Sequence, residues 1–135
     1  MRDYLEAIRK GVVVYDGGMG ATLEQFDLTQ EDYGGLEGKC HEVLVLNRPD
    51  VIEGVHTSMV EAGAEVVETD TFQGSRLKLD EWGLGEHTRE IVKLFHLLVL
   101  GIIPGQVEHR LATHLFGNIA QEQTVVVAVP HVRRK

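Results

Sequence analysis

The sequence predicts an α/β fold with parallel strands, and three observations carry that expectation. Val12-Val13-Val14-Tyr15-Asp16 is a β-branched run halted by Gly17-Gly18. Val51, Ile52, Val55, Met59 and Val60 repeat at helical spacing after Pro49 and stop at Gly63. Ala64 to Thr69 is a second β-rich run. Two short strands joined through a crossover helix run parallel, because a connection of that length returns the chain to the same end of the sheet.

Taken in order, Asp3 is placed to cap a short amphipathic helix that turns Leu5 and Ile8 inward. Val12 to Asp16 reads as a buried strand. Gly20 to Phe26 suits a helix, and Asp27 to Glu42 is a polar, glycine-bearing loop too long for a simple turn, the kind that carries function. Pro49 stands where helices start and Gly63 where they stop. After the second strand, polar Asp70-Thr71 leads to a helix over Ser75–Trp82, with Leu79 and Trp82 assigned to the core. Ile91, Leu94, Phe95, Leu98 and Val99 follow the i, i+3, i+4, i+7, i+8 pattern, so Glu86 to Leu100 reads as one helix ending at Gly101. Farther on, Val107, Leu111 and Leu115 suggest another helix and Thr124 to Val129 a strand.

A length of 135 residues accommodates one domain, and 43% apolar with 25% charged residues is the composition of a chain that buries a core. The formal charge of −8 argues against nucleic acid and anionic membrane as partners. One cysteine cannot form an internal disulfide, and the opening MRDYLEAIRK has no apolar stretch of the signal-peptide kind, so a reducing, cytoplasmic setting is expected. The run Leu94 to Ile103 is broken by His96 and falls short of the ~20 residues that span a bilayer.

The charges divide the chain near residue 91. Residues 1–91 hold 8 basic and 19 acidic side chains, and residues 92–135 hold 5 and 2. Twelve glycines precede residue 92 and three follow it, with no linker of Pro, Ser or Gly between the parts. Residues 92–135 therefore read as an unrelated tail, of the kind a change of reading frame or a gene-model error produces, or as a genuine divergent terminus. His96, His109, His114 and His131 are assigned no role in it.

Asp16 lies at the carboxyl end of the first strand, the end at which parallel α/β folds bind ligands, and the glycines beside it let a ligand approach the backbone. A tight turn with a surface aspartate fits the spacing equally well. GGMGA lacks the Lys-Ser/Thr of a phosphate loop, and a carboxylate beside it repels an anion. Glu68, Thr69, Asp70 and Thr71 end the second strand on the same rim. A small zwitterion suits such a cleft, with a carboxylate for its ammonium and hydroxyl or N–H donors for its carboxylate; helix capping by Thr and Asp is the plainer reading. Cys40 with His41 supplies two adjacent groups, where zinc requires three or four ligands, so Cys40 reads as a bystander thiol.

DGGMGATLEQF, the loop DYGGLEGKCHEVLVLNRPDVIEGVHTSMVEAGAEVVETDTFQGSRLKL and EWGLGEHTREI, in that order, resemble the start of the homocysteine S-methyltransferase domain. The likeness is greatest to the homocysteine-binding modules of its cobalamin-dependent members. It covers about residues 5–91. The resemblance implies a (β/α)8 TIM barrel of which this chain holds the amino-terminal portion, incomplete because such a barrel needs ~250 residues. It implies methyl transfer to the homocysteine thiolate in methionine biosynthesis, with zinc held by three cysteines of later strands and cobalamin- and folate-binding modules as partners. It matches Asp16 and Gly17 to residues holding the amino-acid end of homocysteine, and Thr69 to a hydroxyl position in the same pocket. No zinc ligand and no catalytic residue is assigned in this chain, since Cys40 is not among the family's zinc cysteines. Two readings follow: a methyltransferase fragment inactive alone, or a non-catalytic α/β protein that binds a small amino acid or a partner subunit.

Overall fold

The computed structural model of the chain describes residues 4–36, 40–102 and 126–128. The longest helix of the expected crossover, α4 (Pro49–Ala62), starts with proline in its first turn, where no N–H is missed. It stops at Gly63, whose φ of 108° is open to glycine and strained for other residues. Before it come α1 (Tyr4–Lys10), α2 (Met19–Leu23), a 3-10 turn at His41–Val43 and α3 (Leu44–Asn47). After it come β1 (Val66–Glu68), α5 (Arg76–Asp80), a 3-10 turn at Gly85–His87, α6 (Thr88–Ile102) and β2 (Val126–Ala128).

Helices α3, α4 and α6 pack together around Leu44, Val51, Ile52, Val55, Ile91 and Phe95, all buried. Leu79 of α5 joins this core fully buried, and Trp82 packs against it, as expected. On the other side of α4, Val67 of β1 meets Val60 and Val99. The polar segment before α3 is anchored rather than loose. Tyr33 is buried in the core, and Arg48 bridges Asp32 and Asp50 at 2.9 Å each, tying the segment to the start of α4. The 27–42 stretch thus turns helical at its end, at His41–Val43, and its buried residues give it an inner face.

The Val12–Asp16 run departs from its reading as a buried strand. It forms one parallel bridge, Tyr15 to Val66, with Val12 92% exposed and Val14 and Tyr15 exposed as well. Parallel strands are buried when neighbours cover both edges and both faces, and among the described residues this run has β1 on one edge alone. The parallel direction itself is as expected. β1 pairs on its other edge with β2, antiparallel, in the register Val66–Ala128, Val67–Val127, Glu68–Val126. Val66 and Val67 are accordingly buried at the centre of the sheet. The described strands do not close into a barrel.

Smaller differences have local causes. Ile8 is 43% exposed rather than turned inward. The cap expected at Asp3, the side chain of Leu5 and the helix expected around Val107, Leu111 and Leu115 lie outside the described residues. α2 ends at Leu23, three residues early, in a turn with Phe26 N–H donating to Leu23 C=O. α6 passes through Gly101, which a helix tolerates at a cost of about 1 kcal/mol relative to alanine.

Candidate functional site

The parallel bridge sets the carboxyl ends of the Val12–Asp16 run and of β1 side by side. Asp16 N–H donates to Val66 C=O at 2.9 Å, and Glu68 N–H donates back to both carboxylate oxygens of Asp16, at 3.1 and 3.0 Å. Asp16 thus stands at the strand ends with its carboxylate held by the peptide next to Thr69. Burial raises its pKa most, the Glu68 N–H opposes that, and the Glu68 charge adds to the rise. Gly17 is exposed, and a Cβ added there would meet nothing within 4 Å, so the backbone is open to close approach. Gly18, at φ 63°, turns the chain into α2.

Beyond β1 the chain enters the interior: Thr69, Asp70 and Thr71 are all buried. The two threonine hydroxyls lie 2.8 Å apart. Asp70 carries a carboxylate oxygen, Oδ2, with no hydrogen-bond partner among the described residues. Burial first and the charge of Glu42 second push its pKa up to about 7. Helix capping, the plainer reading of this segment, is done by Ser75, whose Oγ accepts from Lys78 N–H at 3.3 Å.

Glu42 is the member of this group that spacing did not single out. It is buried, and its Oε1 accepts Gln73 N–H at 2.8 Å, pinning the loop after β1 to the segment before α3. Its Oε2 accepts from the Cys40 thiol at 3.8 Å. No pattern in HEVLVLN marks Glu42 for burial, because its partner lies 31 residues away. Cys40 itself is buried in the core, and its pKa is pushed up to about 11, by burial foremost and then by the Glu42 charge. A thiol so held is protonated at neutral pH and a poor metal ligand.

Zinc does not fit the described residues, which hold no group of three His, Cys, Asp or Glu placed to take a metal ion. What the rim offers is one carboxylate with lone pairs beyond the Glu68 bonds, an open backbone at Gly17, and buried hydroxyls behind it. No helix among the described residues is long and apolar enough to cross a membrane.

Methionine synthase of Mycobacterium tuberculosis (strain ATCC 25618 / H37Rv) is 42% identical to this chain over 89 residues, which cover 66% of the chain and 7% of that protein. Methionine synthase of Mycobacterium leprae (strain TN) shows the same identity and the same coverage. The chain therefore spans less than a tenth of the length of these relatives. The family model described as homocysteine S-methyltransferase matches residues 13–100. That match takes in the whole strand-end rim and both helices that pack behind it, α4 and α6 up to residue 100, and by it the chain belongs to the homocysteine S-methyltransferase family.

Proposed function

We propose that this chain is the homocysteine-binding opening of a homocysteine S-methyltransferase of the methionine synthase type, serving methyl transfer to homocysteine in methionine biosynthesis. On this reading the chain is the amino-terminal portion of a TIM barrel, and residues 92–135 include a tail foreign to it. The observation that carries the reading is Asp16, an ionisable carboxylate fixed at the strand ends beside an open glycine. The ammonium of homocysteine takes the free lone pairs of Asp16, its main-chain end lies against Gly17, and the Thr69 hydroxyl lines the same pocket. The chain does no turnover alone. Zinc, which activates the thiol in the family by binding it as thiolate, has no ligand set among the described residues, and cobalamin and folate belong to other modules.

Two measurements test this. Metal analysis and a methyl-transfer assay with methylcobalamin on the purified chain should give no stoichiometric zinc and no methionine. Homocysteine should leave the thermal transition of the chain where it is, since one charge-assisted contact of about 1.5–3 kcal/mol does not offset an association cost of at least about 4 kcal/mol. One tightly bound zinc per chain lost in Cys40→Ala, or a transition raised by homocysteine in the wild type and not in Asp16→Ala, would overturn the fragment reading. The second of these outcomes would favour a protein that binds a small amino acid by itself.

A further inference from the structure

A barrel strand has a parallel neighbour on each edge. β1 has one on its first edge, where Val66 N–H donates to Val14 C=O at 3.1 Å, Val66 C=O accepts from Asp16 N–H at 2.9 Å, and Glu68 N–H turns to the Asp16 carboxylate. Successive peptides of an extended chain face opposite sides, so Val67 directs its N–H and C=O to the second edge. In a (β/α)8 barrel that edge belongs to the next parallel strand. Here β2 takes it, with residues 126–128 that lie beyond the family match at 13–100 and run antiparallel to β1. Val67 stands opposite Val127. Antiparallel pairs alternate between those that exchange two hydrogen bonds and those that exchange none. Val67–Val127 is therefore the bonded pair, and Val66–Ala128 and Glu68–Val126 are the unbonded ones.

We propose that β2 is a capping strand: the tail supplies a substitute for the next barrel strand, closes the second edge of β1, and lets the opening of a barrel stand as a folded unit without the rest. The proposal rests on the barrel reading above and gives the tail a task within it. Three observations support it. The antiparallel direction marks β2 as a stop, since no further parallel strand pairs with β1 while β2 is seated there. Thr124 to Val129 is uncharged, free of proline and rich in valine, the composition that pairs well with Val66-Val67. The 5 basic and 2 acidic residues of 92–135 face a body with 8 basic and 19 acidic ones, so charge attraction draws the tail to the body it caps. Without the cap, the Val67 N–H and C=O would be left at an open edge ready to pair with another chain.

Amide hydrogen exchange of the full 135-residue chain tests this at Val67, with Val66 as internal reference because its N–H is bonded on the first edge. In the wild type both amides should be protected. Val127→Pro deletes the N–H that Val67 C=O accepts and sets a ring between the strands, so exchange at Val67 should rise about tenfold relative to Val66. Val126→Pro removes an N–H that points away from β1, at the first position of a strand, where proline is tolerated. It should leave the ratio of the two rates unchanged. Should either proline variant unfold, cysteine pairs decide. Glu68→Cys with Val126→Cys, opposed at an unbonded pair, should close an intramolecular disulfide under mild oxidation and raise the urea midpoint. Glu68→Cys with Ala128→Cys, two residues out of register, should close more slowly and raise it less. These readouts involve neither homocysteine nor zinc, so their failure leaves the family reading in place, and failure of the binding tests leaves the cap in place. A wild-type Val67 that exchanges as fast as an exposed amide, equal effects of the two prolines in folded variants, or disulfides that close alike in both registers would overturn the proposal.

Discussion

At the residue level, Glu42 and Asp70 show how one buried carboxylate sets the state of another. Glu42 has both oxygens engaged, by Gln73 N–H and the Cys40 thiol, whereas Asp70 keeps Oδ2 without a partner among the described residues. An isolated buried charge is costly, so Asp70 answers by holding its proton to about pH 7, through burial first and the Glu42 charge second. Glu42→Gln removes the second cause while its amide oxygen still accepts from Gln73. The pKa of Asp70, followed by carboxyl-carbon NMR, should therefore fall. A pKa that stays in place would show that burial acts alone. Asp70 lay within the polar strand end that the sequence marks; its partner Glu42 did not, since nothing local to residues 40–43 reports a neighbour 28 positions on.

Among the elements, α4 and α6 hold the molecule together and the Val12–Asp16 run does not. Phe95 is fully buried among α3, α4 and α6, and Phe95→Ala should cost about 3–5 kcal/mol, through lost transfer energy and the cavity left behind. Leu97 on the same helix is 46% exposed, and Leu97→Ala should change stability by no more than about 0.5 kcal/mol. Urea unfolding of the two variants checks the contrast, and equal losses would mean that α6 is packed on a different face. α4 was readable in full because proline at its start, glycine at its end and an apolar stripe between them are all local. The Val12–Asp16 run was readable as extended and parallel to β1, yet its burial depended on neighbours that no property of the run itself supplies.

For the whole molecule, two buried groups give stability opposite responses to pH. Asp70 ionises near 3.8 when unfolded and at about 7 when folded, so the folded state holds the extra proton and stability falls as pH rises between those values. His56 is fully buried with neither ring nitrogen hydrogen-bonded to any described residue, and burial lowers its pKa from 6.5 to about 4. There the unfolded state binds the extra proton, so stability rises with pH across that window. Between about pH 4 and 6.5 the two slopes oppose, and the urea midpoint of the wild type should vary little with pH. Asp70→Asn removes the Asp70 slope and leaves that of His56 opposed by the upward shift of Asp16, which is not a large one, so its midpoint should climb with pH through that range. A midpoint that falls with pH in Asp70→Asn would mean that His56 is solvated or paired in solution.

The amino-acid sequence by itself did not show α3 or the two 3-10 turns, but it determined the family, the helices α1, α2, α4, α5 and α6 with β1 between them, the parallel sense of the first two extended runs, and the rim at Asp16, Gly17 and Thr69 as the place to look. These rest on signals read within a few residues: β-branched runs, a 3.6-residue period, proline and glycine at helix ends, and motifs in order along the chain. A strand at 124–129 was legible too, but not that residues 126–128 would lie antiparallel against β1. The tertiary structure alone decided that pairing, the exposure of Val12, the union of Glu42 with the loop after β1, and the neutral state of His56. Each depends on which distant groups share a neighbourhood, and packing and the desolvation of charge are properties of the neighbourhood, not of the segment.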